Sequence, residues 1–243
     1  MRLVIPSMGR PEFIPKTMAW RLLPFLEDMY VVVTPGEALE YKKYMEHPKV
    51  HIVECPEKNL PRTRNWALEN LWPESNELMM MDDDIKNVLW GLWRKSVKLT
   101  PEDVMQAIRE DMELAAVIGV PFFSFRAFPG GINRVRRPAP IHMKGRVVNC
   151  LIVFSDPKIR FDPEMDVLDD FELSMWCLFH HGLCVSDGRY LMEQLGGKMG
   201  TVQGGINKHR TAASLQRGLR YLISKFGPYV KRYISAGSVY DEK

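Results

Sequence analysis

Short apolar runs alternate with amphipathic stretches through the first half of the chain. Leu3-Val4-Ile5 is stopped by Pro6, and Tyr30-Val31-Val32-Val33 is ended by Thr34-Pro35-Gly36. His51-Ile52-Val53 and Leu78-Met79-Met80-Met81 complete a set of four predicted buried strands. Between them, residues 15–26, 37–45 and 62–71 carry apolar side chains at helical spacing. Strands that alternate with helices predict βαβ units and an α/β fold with a mostly parallel central sheet. Every strand of such a sheet delivers its carboxyl-terminal loop to one edge, where ligands bind.

The second half is less regular. Residues 101–117 predict a helix with Thr100 as N-cap and Glu102-Asp103 in its first turn. Phe122-Phe123-Ser124-Phe125 and residues 147–154 read as strands, separated by a Gly-, Pro- and Arg-rich loop over 129–145. A loop of that length inside a compact domain is usually functional. Residues 170–181 predict a helix, Leu183-Cys184-Val185 a short strand, and 211–226 a last helix after Gly196-Gly197 and Gly204-Gly205. With no repeat or linker to divide it, the chain of 243 residues reads as one α/β domain over 1–243.

Composition narrows this little: 46% hydrophobic and 26% charged residues are ordinary for a globular protein. A net charge of +3 is compatible with a polyanionic partner without requiring one. The four cysteines lack metal-ligand spacing and fall in or beside apolar stretches, so buried thiols in a reducing cytoplasm are expected. The N-terminal apolar segment is too short for a signal peptide, and no apolar run is long enough to span a bilayer. A cytoplasmic protein without membrane contact is the expectation.

Candidate chemistry concentrates at the end of the fourth strand, where Leu78-Met79-Met80-Met81 runs into Asp82-Asp83-Asp84. Extended backbone would turn Asp82 and Asp84 to one side and Asp83 to the other. Two carboxylates so close resist ionising together unless a cation neutralises them. Oxygen ligands suit Mg²⁺ or Mn²⁺, often shared with substrate phosphates. The alternative is a solvated acidic turn or a helix cap leading into residues 85–89.

Three further pieces surround it. Pro6, Ser7 and Arg10 form a turn after the first strand whose donors could hold a base or phosphate. Arg62 and Arg64, with Asn65, open the helix before the acidic strand, where cations oppose the helix dipole. An anionic ligand would explain them, and so would a surface ion pair. Asp169 and Asp170 begin a later helix; one acid would serve as N-cap, and a second could act as general base toward an acceptor hydroxyl.

The order of these pieces resembles the GT-A glycosyltransferases. Arg64-Asn65, Asp82 and Asp84, and Asp169-Asp170 match the Ala-Arg-Asn, Asp-x-Asp and Glu-Asp motifs of inverting members, although Thr63 stands where a small residue is usual. The Ile-Pro-Ser start, the Met-Asp-Asp-Asp-Ile centre and the late Gly-Gly-Ile-Asn-Lys-His-Arg segment are most similar to the phage-encoded TET-associated glycosyltransferases. That resemblance implies a nucleotide-sugar half over about 1–120 and an acceptor half over about 121–243. It also implies a nucleoside-diphosphate sugar such as a UDP-sugar as donor, Mn²⁺ or Mg²⁺ as cofactor, and inversion at the anomeric carbon. The acceptor it implies is DNA carrying hydroxymethylated pyrimidines, in the cytoplasm of the phage's host.

Within that frame Asp84 is the first expected metal ligand. Asp82 is expected at the ribose or the metal, and Asp83 beside them. Asp170 is the expected base, with Asp169 second. His209 either completes the metal shell or belongs to a basic helix entrance with Lys208 and Arg210. Arg134, Arg136 and Arg137 in the long loop suit a phosphate backbone. Trp90 and Trp93 either stack on a sugar or flipped base or pack in the core. Other readings are the same enzyme acting on a glycan or protein, a nucleotidyltransferase of similar fold, and a non-catalytic DNA-binding module. Two separated acidic clusters argue against the last.

Overall fold

The four apolar runs form β1 (Arg2–Pro6), β2 (Met29–Val33), β3 (Val50–Glu54) and β4 (Leu78–Met81) in a computed structural model. It describes residues 1–92, 95–127, 141–143, 147, 150–195 and 211–230. These strands lie parallel in the order β3-β2-β1-β4. Their carboxyl ends therefore share one edge, as the alternating pattern predicts. The connections carry α1 (Met18–Leu22), α2 (Ala38–Lys42) and α3 (Leu60–Asn70).

Two of these helices are shorter than their periodicity suggests. The expected helix over 15–26 is interrupted, with α1 flanked by 3-10 turns at Ile14–Lys16 and Leu23–Phe25. Pro15 and Pro24 sit in those turns, and a proline inside a helix removes a donor and clashes with the preceding turn. Helix α3 starts cleanly because the Asn59 side chain accepts from the Arg62 N–H and Pro61 occupies the first turn.

Beyond β4 the sheet becomes mixed. Ile85–Leu92 (β5) and Lys95–Lys98 (β6) pair antiparallel, so residues 85–89 form a strand and not the helix kept open as an alternative. Helix α4 (Pro101–Ile118) follows, with a Thr100–Asp103 capping box and Gly119 left-handed at its end. Phe122–Ala127 (β7), Ile141–His142 (β8), Leu151–Phe154 (β9) and Val185–Gln194 (β10) complete the sheet. Strand β9 runs antiparallel between β4 and β7, whereas β10 is parallel to β7 and antiparallel to β5 and β8. All strands but β5, β8 and β9 thus point the same way, the mostly parallel α/β sheet expected of the chain. Helices α5 (Asp169–His181) and α6 (Ala212–Phe226) close the described chain.

Period-two alternation divides the core between the two faces of the sheet. Leu3, Ile5, Met79 and Met81 pack with Met18 of α1 and Val104 and Ile108 of α4. Val4, Leu78 and Met80 pack with Ala67 and Leu68 of α3 and Leu173 and Cys177 of α5. The strand end at Met81 therefore enters a site with α3 and α5 on one side and the first loop on the other. All four cysteines are buried free thiols, as their surroundings predict. Among the described residues no helix is long and apolar enough to cross a membrane.

Candidate active site

Asp83 is the buried member of the aspartate triplet, only 1% exposed. Ser7 Oγ donates to its Oδ2 at 2.5 Å, and Arg10 pairs with both of its oxygens, from Nε at 3.2 Å and from a terminal nitrogen. Tyr41 joins through a 2.7 Å contact with Ser7 Oγ, and its hydroxyl accepts from the Arg10 N–H at 3.2 Å. Burial pushes Asp83 up to about 6 against the pull of Arg10, and it pushes the Tyr41 phenol up to about 12. Ser7 and Arg10, read from the sequence as donor-binding groups, are thus the ties that fasten the first loop to the end of β4. Tyr41 was not foreseen, since nothing in the spacing of α2 marks it.

Asp82 faces the other way. Its carboxylate is 31% exposed and accepts from Arg64 at 3.2 Å. Arg64 is itself buried, stacked over Phe161 at 5.3 Å, and its second terminal nitrogen pairs with Asp169. The guanidinium against the helix dipole is therefore explained by two carboxylates of the protein itself. Asp84 lies in the turn after β4, where strand alternation no longer governs direction. It sits 3.6 Å from Arg10 Nη1 and accepts from Gln194 Nε2 of β10 at 3.3 Å. Burial, then Asp82 and Asp83, push its carboxyl up to about 7.

Asp169 and Asp170 occupy the first turn of α5, but neither caps it. The cap position is Leu168, held left-handed at φ 66° with no side-chain cap bond. Freed from capping, Asp169 turns to Arg64, and Asp170 Oδ1 accepts from the Phe171 N–H at 3.0 Å. Both are largely buried, and burial raises the Asp169 carboxyl while Arg64 opposes the shift. Carboxylates in a first helical turn also gain from the positive end of the helix dipole.

Asp82, Asp83, Asp84 and Asp169 face the two guanidiniums of Arg10 and Arg64. With all four carboxylates ionised, the excess of negative charge equals one divalent cation, before Asp170 is counted; burial and mutual repulsion raise Asp83, Asp84 and Asp169 against that state. No three His, Cys, Asp or Glu side chains converge on one point among the described residues. Asp84 shares Arg10 with Asp83 and not Arg64 with Asp82, so the expected common face of Asp82 and Asp84 is not kept. A metal resting on Asp82 and Asp84 would need phosphate or water oxygens to complete its shell, and that oxygen donor set fits Mg²⁺ or Mn²⁺.

The remaining predicted residues divide three ways. Pro6 ends β1 beside the Ser7 loop. Asn65, expected at the donor, clamps Phe161 through both of that residue's backbone groups at 2.8 Å. Arg62 is a surface residue 3.6 Å from Glu164, which leaves it apart from the carboxylates. Trp90 is half exposed on β5, about 17 Å along the strand from Ile85 at 3.3 Å per residue. It lines a shallow groove of about 400 Å³ with Tyr190, Leu99 and Glu110, away from the aspartates and outside the core. Trp93, Arg134, Arg136, Arg137 and His209 lie outside the described residues.

No curated protein sequence matches the chain. Several solved structures are distantly similar to it. The 4-diphosphocytidyl-2C-methyl-D-erythritol synthase of Anaerococcus prevotii is 12% identical, covering 89% of this chain and 96% of its own at a TM-score of 0.49. The inositol-1-phosphate CTP transferase of T. maritima is 12% identical over 95% of this chain and 98% of its own, at 0.48. A candidate nucleotide-diphospho-sugar transferase from Desulfovibrio desulfuricans G20 is 11% identical over 93% and 97%, at 0.47. The sequence itself is more specific: residues 1–194 match the family model for TET-associated glycosyltransferases, and the chain belongs to that family.

Proposed function

We propose that the protein transfers a sugar from a nucleoside-diphosphate donor, such as a UDP-sugar, to an acceptor hydroxyl with inversion. The donor meets the half formed by residues 1–120 and the acceptor the half formed by 121–243. The observation that carries this reading is the meeting of two acidic elements. The strand end bearing Asp82 and Asp84 and the helix start bearing Asp169 and Asp170 are bridged by the buried Arg64. One element suits a phosphate-bound cation and the other a base, as displacement at an anomeric carbon requires.

Asp82 and Asp84 would hold Mg²⁺ or Mn²⁺, which when bound supplies positive charge to the departing diphosphate. Asp83 stays out of the ligand set and fixes the first loop through Ser7 and Arg10. Arg64 holds Asp169 in place, which leaves Asp170 as the base that takes the acceptor proton. Attack by the resulting alkoxide opposite the leaving diphosphate gives inversion in one step. Family membership favours a hydroxymethylated pyrimidine in DNA as acceptor.

The test is a panel of sugar nucleotides with Mn²⁺, with and without hydroxymethylated DNA, run on the wild type and on Asp170→Asn. Transfer to modified DNA that Asp170→Asn loses while UDP still binds is the expected result. Transfer only to an oligosaccharide or protein would move the acceptor and keep the enzyme class. Pyrophosphate release from a nucleoside triphosphate in place of sugar transfer would overturn the reading in favour of nucleotidyl transfer.

A further inference from the structure

Helix α6 lies beyond residue 194, where the family match ends, yet it grips the segment that presents the acidic pair. Lys225 Nζ donates to Asp162 Oδ2 and to Glu172 Oε1, both at 2.6 Å. The Tyr221 hydroxyl donates to the same Asp162 oxygen at 2.8 Å. These bonds take hold of the segment at both ends, before and after Asp169-Asp170. Between them Gly218 backs directly onto the turn, where a Cβ would lie 3.2 Å from the Val167 carbonyl oxygen and 3.4 Å from Leu168 Cδ1. Leu222 and Phe226 bury Met165 on the same side.

The segment needs such support. Leu168 holds a left-handed conformation that a branched side chain rarely adopts, and it persists only where surroundings enforce it. The first turn of α5 has no side-chain cap. Glu172, one turn on, is buried at 1% exposure, and its Oε2 has no hydrogen-bond partner, so Lys225 is its counter-charge. A close approach at Gly218, an enforced turn and a buried ion pair converge on the residues around Asp169-Asp170.

We infer that α6 is a positioning element of the active site. Gly218 and Lys225 hold the 162–172 segment so that Asp169 meets Arg64 and Asp170 faces the acceptor. The inference rests on the reading of Asp170 as base. Neither Gly218 nor Lys225 touches substrate; they act through the Leu168 turn and Glu172.

The experiment compares Gly218→Ala, Lys225→Gln and Lys225→Arg with wild type and Asp170→Asn. Transfer from UDP-glucose to hydroxymethylated DNA with Mn²⁺ is measured alongside calorimetry of UDP with Mn²⁺. We expect Gly218→Ala and Lys225→Gln to lower kcat at least tenfold while donor KM and UDP affinity stay within twofold. Lys225→Arg should recover most of the loss, because it restores the charge. Amide exchange over 168–173 should quicken about tenfold in the two impaired variants and stay unchanged over residues 3–6.

Wild-type kcat in folded Gly218→Ala would overturn the inference, as would a parallel loss of kcat and UDP affinity. If Lys225→Gln does not fold, Gly218→Ala decides alone, since it adds one methyl group. If UDP-glucose or this DNA is not turned over, amide exchange decides, and unchanged exchange over 168–173 overturns the inference. Active Asp170→Asn would instead overturn the reading of the base, whatever α6 contributes.

Discussion

Arg64 on α3 pairs with Asp169 on α5 across 105 positions of sequence, and the pair is almost wholly buried. Removing one partner from a buried ion pair leaves an uncompensated charge and typically costs about 3–5 kcal/mol. Arg64→Met should lower the unfolding free energy by about that amount, read by urea denaturation. Arg64→Met combined with Asp169→Asn should recover a large part of the loss, because the only carboxylate that then loses the Arg64 charge is Asp82, which is 31% exposed. Equal destabilisation in the single and double variants would show that Arg64 matters for its packing on Phe161 and not for its charge.

On the proposed reading the aspartate triplet separates into ligands and a structural tie, and the separation is measurable. Asp84→Asn and Asp82→Asn should fold normally and lose transfer together with Mn²⁺ dependence, since each removes ligand charge without changing shape. Asp83→Asn should instead loosen the first loop, because Ser7 and Arg10 both donate to that carboxylate. Its signature is a lower thermal midpoint with the Mn²⁺ titration of the remaining activity unchanged. A changed Mn²⁺ midpoint in Asp83→Asn would bring Asp83 into the ligand set.

A second acidic pair, outside the site, makes a prediction about pH. Asp111 on α4 is buried beside Asp187 of β10, with Arg189, Glu110 and Tyr190 as its other charged or titratable neighbours. Burial, then the neighbouring Asp187 carboxylate, push Asp111 from its ordinary 3.8 up to about 8. An acid with a raised folded pKa keeps its proton in the fold and loses it in the unfolded chain. Its contribution is therefore full below about 4 and is lost as pH rises through about 8. Asp111→Asn keeps a donor toward Asp187 without the charge. Relative to wild type, the urea midpoint of Asp111→Asn should rise progressively between about pH 4 and pH 8 and level off above that. A constant difference across that range would contradict the assignment.

The sequence carried the four parallel strands and the acidic cluster at the end of the fourth. The apolar runs at residues 3–5, 30–33, 51–53 and 78–81 are strands because fully buried parallel strands read as unbroken hydrophobic segments. The opposite directions of Asp82 and Asp83 follow from the same period of two, continued past Met81. Strand β5 and most of β10 were hidden because polar side chains interrupt their apolar pattern: Asn87 and Glu193 bond to each other across the sheet, and Asp187 accepts from Arg189 on its own strand. Arg64 could be flagged as anomalous at its helix start, but its partners lie 18 and 105 positions away, and no local rule reaches them. Asp169 and Asp170 imitated caps because the actual cap, Leu168, is a residue type that rarely takes that place.

The last prediction concerns the acceptor. Arg134, Arg136 and Arg137 cluster in the basic loop outside the described residues, and the argument for them is electrostatic. A DNA substrate gains affinity as each contacted phosphate releases condensed counterions, a term indifferent to base sequence. Replacing all three arginines with alanine should weaken DNA association and flatten its salt dependence by up to about three phosphate equivalents. Donor hydrolysis in the absence of DNA should change little, because the loop is separate from Asp82 and Asp84 in sequence. Preference for modified over unmodified DNA should survive, since a base must leave the stack to present its hydroxymethyl group to Asp170. The comparison is filter binding and transfer at matched salt on both DNAs. An unaltered salt slope in the triple variant would remove the loop from the DNA path, and loss of base preference would place it at the base itself.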